Sequence, residues 1–119
     1  MKNKDIFSEL QRHIPKSKLF RAYKLFFGTL TSRDRLLIIN SLRKNPKTVS
    51  NLQKELKLEQ TRLSHNLRRL RHCGFVSVKK DGRYREYCLN RKTIVPLMDT
   101  IDKHMFRFCM KIISHGGKK

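Results

Sequence analysis

Residues 58–89 read LEQTRLSHNLRRLRHCGFVSVKKDGRYREYCL, and the order of signals in this stretch decides the fold. Leu63, Leu67 and Leu70 recur at intervals of four and three, which is one apolar stripe of an amphipathic helix. The helix is expected over residues 60–73, with Gln60, Thr61, Ser64, His65, Arg68 and Arg71 largely on the opposite side. Gly74 supplies the residue that most easily takes the left-handed conformation in which helices stop. Phe75, Val76 and Val78 form a β-prone run, and Asp81-Gly82 is a two-residue hairpin signal. The return strand, residues 83–89, alternates Tyr, Glu and Cys with basic residues. Nearly everything this unit would expose is polar or cationic, a surface suited to a polyanion.

The preceding segments complete a motif. Ser50 with Gln53 three residues on fits a capping box, opening a short helix over 51–56 that turns Leu52 and Leu56 inward. Lys57, Leu58 and Glu59 then leave only a tight turn before the next helix, the helix-turn-helix pattern. With the hairpin added it becomes a winged helix-turn-helix. Further upstream, Thr31 and Ser32 are N-cap residues, and Thr31 with Asp34 fits a second capping box. A helix over 33–44 would carry Leu36, Leu37, Ile39 and Leu42 inward until Asn45-Pro46 ends it. Lys47, Thr48 and Val49 read as a short strand or a connector.

The two ends carry more apolar surface than one small domain needs. Residues 4–13 suit a short helix with Ile6, Phe7, Leu10 and Ile14 on one side, and Pro15 interrupts it or starts the next. From Lys16 to Phe27, Leu19, Phe20, Tyr23, Phe26 and Phe27 follow helical spacing, and Gly28 is placed to end that helix. After Leu89 either Asn90 or Thr93 caps a last helix. Thr93 suits it better, because Pro96 then lies in the first turn, where no amide bond is forfeited. Ile94, Met98, Ile101, Met105, Phe108 and Ile112 step by four, three, four, three and four, a heptad seam that Phe106, Cys109 and Ile113 widen. The expectation is a dimer interface built by residues 1–28 and 93–114, with Leu19, Tyr23, Phe26, Ile94, Met98, Ile101, Met105, Phe108 and Ile112 as its apolar contacts.

The expected architecture is therefore a single domain over 1–119, mainly α with one small β-hairpin: helix-turn-helix at 50–73, wing at 75–89. A length of 119 residues is enough for one ordinary core. A formal net charge of +20 makes nucleic acid or an anionic membrane surface the fitting neighbour. A hydrophobic content of 38% with clear periodicity excludes a disordered basic tail. No apolar run approaches the roughly 20 residues of a bilayer span, and MKNKDIFSEL has no apolar signal core. A cytoplasmic, nucleoid-associated location is the expectation. Cys73, Cys88 and Cys109, odd in number and without close pairing, read as reduced thiols. The nine acidic residues are scattered. With no glycine-rich phosphate loop and no nucleophile–base spacing, the sequence offers no enzyme and no cofactor.

The chain resembles the ArsR-type (SmtB/ArsR) winged-helix repressors over roughly residues 28–113. The most specific part is residues 55–89, where Leu58, Ser64, His65, Leu67, Leu70, Gly74, Val76, Tyr87 and Leu89 match the family pattern. Upstream, Arg35, Leu36, Ile38 and Leu42 match its first core helix. Glu59 departs from the usual Ser or Thr cap, and Arg33-Asp34 from the common Pro-Thr. The resemblance implies a cytosolic homodimer on double-stranded operator DNA, with the second helix of each motif in a major groove. It implies no membrane partner.

On that reading Gln60, Thr61, Arg62, Ser64 and His65 hold the N-terminal part of the recognition helix, which meets base edges in such proteins. Arg68, Arg69 and Arg71 would bind phosphate, and Lys79, Lys80, Arg83 and Arg85 would bring the wing to the backbone or minor groove. The family's metal sites do not carry over. An arsenic-type site needs Cys-x-Cys where Val49, Ser50, Asn51 and Leu52 stand. Asp102, His104 and His115 have the zinc-type spacing. Counted from the end of the hairpin, though, the ligand positions hold Arg91, Thr93, His104 and Arg107, so no metal or small-molecule effector is expected. A weakly specific architectural DNA binder on the same fold is the alternative.

Overall fold

The computed structural model describes residues 5–116. Two helices and the root of a hairpin enclose its core. The helix α3 (Arg33–Lys44) contributes Ile38, Ile39 and Leu42, and α5 (Gln60–His72) contributes Leu63, Leu67 and Leu70, all fully buried or nearly so. Each such side chain withdrawn from water is worth about 1.5–3 kcal/mol. Leu52 of α4 (Val49–Leu56) closes one end, and Leu58 in the turn is buried with it. Phe75 is the largest fully buried side chain. It stacks on Phe26 of α2 (Lys16–Leu30) with ring centroids 5.3 Å apart.

The hairpin is a two-stranded antiparallel sheet of β1 (Val76–Asp81) and β2 (Tyr84–Leu89), paired from Val76–Leu89 to Asp81–Tyr84. Lys47 adds one isolated antiparallel bridge to Tyr87, with hydrogen bonds of 3.1 and 2.8 Å. The segment before α4 is thus a connector that touches the sheet once. Among the described residues the first helix is α1 (Ile6–His13), which buries no residue and meets α2 across a short connection, and the last α-helix is α6 (Ile94–His104). Met105–Cys109 and Ile112–Gly116 continue α6 as π-helical turns.

Several boundaries differ from the sequence reading, each for a local reason. The α2 helix runs through Gly28 to Leu30, and Thr31 Oγ1 donates to Gly28 O rather than capping the next helix. Ser32 caps α3, its oxygen accepting from Arg35 N at 3.2 Å. Thr48 caps α4 by accepting from Asn51 N at 3.1 Å, so Ser50 lies inside the first turn. Gly74 does end α5 at φ +81, in a Schellman arrangement where Phe75 N reaches Leu70 O and Gly74 N reaches Arg71 O. The hairpin loop is Gly82-Arg83, one residue later than Asp81-Gly82. Gly82 has φ +66 and Arg83 does not, the pattern of a type II′ turn. Thr93 makes no side-chain cap. Asn90 takes that role, its Oδ1 accepting from Lys92 N and Thr93 N while its amide donates to Gly74 O.

The heptad seam also divides. Ile94 and Met98 are buried within the protomer's own core and are not available to a partner, and Ile101 packs partly against it. Phe26 is likewise half-buried against Phe75. Beyond His104 the wider π-helical turns break the seven-residue phase. Met105, Phe106, Phe108, Met110, Ile112 and Ile113 are all exposed there.

Candidate nucleic-acid interface

The outward face of α5 follows from its inward one. Because Leu63, Asn66, Leu67 and Leu70 are buried, Gln60, Thr61, Ser64, His65, Arg68, Arg71 and His72 are left exposed. Gln60, Thr61, Ser64, His65 and Arg68 line one shallow groove along that face. These side chains combine amide, hydroxyl, imidazole and guanidinium groups, donors and acceptors that suit base edges.

Two arginines of the predicted set are engaged elsewhere. Arg62 is exposed but bonds Asp34 in the first turn of α3, with Nε and Nη2 at 3.0 and 2.8 Å from Oδ2. Arg69 is half-buried and turns toward α2, its Nε donating to Thr29 Oγ1 at 3.2 Å.

The wing brings its own charge. Lys79 stands opposite Glu86, but Lys80 stands directly opposite Arg85, and like charges facing across two strands destabilise a hairpin. Arg83 lies in the loop, and Lys79, Lys80, Arg83 and Arg85 are all exposed. Arg83, Tyr84 and Arg85 share a groove with Thr48, Val49, Ser50 and Asn51 at the start of α4. Sequence reasoning passed over those α4 residues, and only the folding of the wing beside the helix start brings them in.

The base of the wing is held by a polar cluster that sequence reasoning also missed. Lys47 Nζ donates to Glu55 Oε1, Ser41 Oγ and Ser41 O at 2.8–3.0 Å, and Ser41 Oγ donates to the same Glu55 oxygen at 2.8 Å. The Lys47 ammonium, then the Ser41 hydroxyl, hold the Glu55 carboxyl below its ordinary pKa. At the far side, Arg43 Nη2 donates to Asp99 and Asp102 of α6 at 2.8 and 2.6 Å. The Asp102 hydrogen bond, most of all, raises the Arg43 pKa. Asp102, which carries zinc-type spacing in the sequence, thus serves as an anchor between α6 and α3. Among the described residues no three His, Cys, Asp or Glu side chains converge as metal ligands. The three cysteines are free thiols, each half-buried.

A short helix, a buried turn, a second helix with a polar outer face and a cationic hairpin define a winged helix-turn-helix protein. The model of the family described as bacterial regulatory protein, arsR family, matches residues 32–78, from the start of α3 into the first strand of the wing. It is 35% identical over 75 residues to the HTH-type transcriptional regulator NmtR of Mycobacterium tuberculosis, a match covering 63% of this chain and 62% of that relative. The chain thus spans less than two thirds of this curated relative. The crystal structure of M. tuberculosis Rv0081 superposes with a TM-score of 0.74 at 27% identity, covering 80% of this chain and 96% of that one. Mb0332 of Mycobacterium bovis, fragment 1–100, described as a homodimeric winged helix-turn-helix DNA-binding domain, shares the fold at 19% identity and a TM-score of 0.71. That match covers 84% of this chain and 90% of Mb0332.

Proposed function

We propose that the protein is a dimeric regulator of transcription that binds double-stranded DNA, acting as a repressor. The recognition helix α5 reads the major groove through Gln60, Thr61, Ser64 and His65. Arg62 is available beside them once it leaves Asp34. Arg68, Arg71, Lys79, Lys80, Arg83 and Arg85 take phosphates or the minor groove. One observation carries this reading: an exposed base-reading face on α5 stands in the same molecule as a wing whose opposed Lys80 and Arg85 call for an anion between them. The arsR-family match over residues 32–78 and the homodimeric state of Mb0332 support it. Metal control is not part of it, since Arg91, Thr93 and Arg107 stand where three of the family's ligands would fall, and Asp102, which has the zinc-type spacing out of that register, accepts from Arg43.

Selection of bound fragments from genomic or random duplexes, followed by footprinting, tests the proposal. A single protected palindrome is the expected result. Uniform protection along every fragment would favour the second reading, an architectural DNA binder of low specificity, which the net charge of +20 favours.

A further inference from the structure

The end of α2 is closed by a side chain from the next helix. Arg35 Nε donates to Thr29 O at 2.8 Å and Nη2 to Gly28 O at 3.2 Å, filling carbonyls of the last turn and placing a cation at a helix C-terminus. Its remaining nitrogen, Nη1, donates to Asn66 Oδ1 at 3.0 Å. Asn66 is buried on α5, and its Nδ2 donates to Arg62 O at 2.9 Å, which fixes the orientation of the amide.

A second arginine meets the same helix end. Arg69 of α5 donates to the hydroxyl of Thr29, a fully buried residue whose Oγ1 donates in turn to Leu25 O at 2.8 Å. Burial, then the neighbouring Arg69, lowers the Arg35 pKa, and a guanidinium so placed remains charged. Packed leucines between α3 and α5 tolerate small rotations, whereas a planar guanidinium fork holding three acceptors favours one orientation.

We propose that Arg35 is a positioning residue. Bonded at once to the end of α2 and to Asn66, it ties the aim of the base-reading helix to α2, whose exposed Phe20, Tyr23 and Phe27 offer a partner protomer its apolar face in the dimer reading. In a dimer it thereby sets the separation of the two reading helices. The inference rests on the reading of the chain as a dimeric duplex binder.

Two substitutions separate the parts. Arg35→Lys keeps the charge and loses the fork. Asn66→Ala leaves the clamp on α2 and cuts the bond between Arg35 and α5, while Arg69 still donates to Thr29. Duplexes selected by the wild-type chain are re-made with base pairs inserted or removed between the half-sites. The wild type should prefer one spacing. Each variant should lose about tenfold in affinity for it, spread its preference over neighbouring spacings, and keep the affinity and salt slope for unselected duplex. The double variant should be no worse than the worse single one, because both act through one linkage.

Unchanged spacing preference in the variants, with the selected duplex still bound by the wild type, would overturn the inference, as would losses that simply multiply in the double variant. If Arg35→Lys did not fold, Asn66→Ala decides alone. A wild-type chain that ignored every duplex would overturn the functional reading instead. The linkage is then judged without DNA, from residual dipolar couplings reporting the angle between α5 and α2. A broadened angular distribution in Asn66→Ala supports it and an unchanged one rejects it.

Discussion

Lys57 stands at φ 56, the only non-glycine residue with positive φ among those described. It closes α4 in the left-handed conformation inside the turn of the motif, where an L side chain costs roughly 1–2 kcal/mol. Lys57→Gly should remove that cost against a larger entropy loss on folding. A net gain of about 0.5–1 kcal/mol in urea unfolding is expected. Glu55 bears on pH. Its carboxyl is held low by Lys47 and Ser41, so the stability it lends is present above the ordinary glutamate pKa of about 4.3 and disappears as pH falls through the lower folded value. Glu55→Gln should therefore lower stability slightly near neutrality, leave it unchanged once the carboxyl is protonated in acid, and so flatten the acid limb of the stability curve. The partial exposure of Glu55 keeps the effect small. Neither residue stands out in the sequence, where Lys57 is one more turn residue and Glu55 one more exposed charge. Both acquire their roles from residues that folding brings to them.

The elements were legible in proportion to how local their causes are. Residues 60–73 announced α5 through the leucine stripe and Gly74, and the structure ends the helix at His72. Caps were harder to read, because adjacent hydroxyls compete. Thr31 and Ser32 both satisfy the composition rule, and the backbone at Ser32, extended at ψ 129, decides between them. Thr48 wins over Ser50 in the same way, extended at ψ 164. Asn90 was half-read, since its bond back to Gly74 spans the hairpin and follows from no local pattern. At the level of the wing, Arg83→Glu with Arg85→Glu should weaken binding to every duplex and reduce the slope of log affinity against log salt by about one unit for each lost phosphate contact. Titration at several ionic strengths checks this, and an unchanged slope would remove the wing from the interface.

For the molecule as a whole, periodicity located the apolar surplus but could not divide it between core and partner. Ile94 and Met98 share a stripe with Met105, Phe108 and Ile112, yet the first two are buried in the protomer and the last three exposed. Helical spacing states which residues share a side, while tertiary packing decides how far along the helix that side is covered. Exposed Phe20, Tyr23 and Phe27 on α2 add to the open surface. Charged residues at Met105, Phe108 and Ile112 should therefore yield monomers that still fold, measured by light scattering together with the melting curve. The same change at Ile101, which packs on the core, should also lower stability.

The facing pair Lys80 and Arg85 makes the β-finger ill at ease when it stands alone in dilute buffer. Multivalent anions gathering there, sulfate or a stretch of heparin, would relieve the repulsion, so the free chain should resist heat better as such anions are added. On this view ligand and scaffold are not separable: the finger reaches its full rigidity only when something negative completes it.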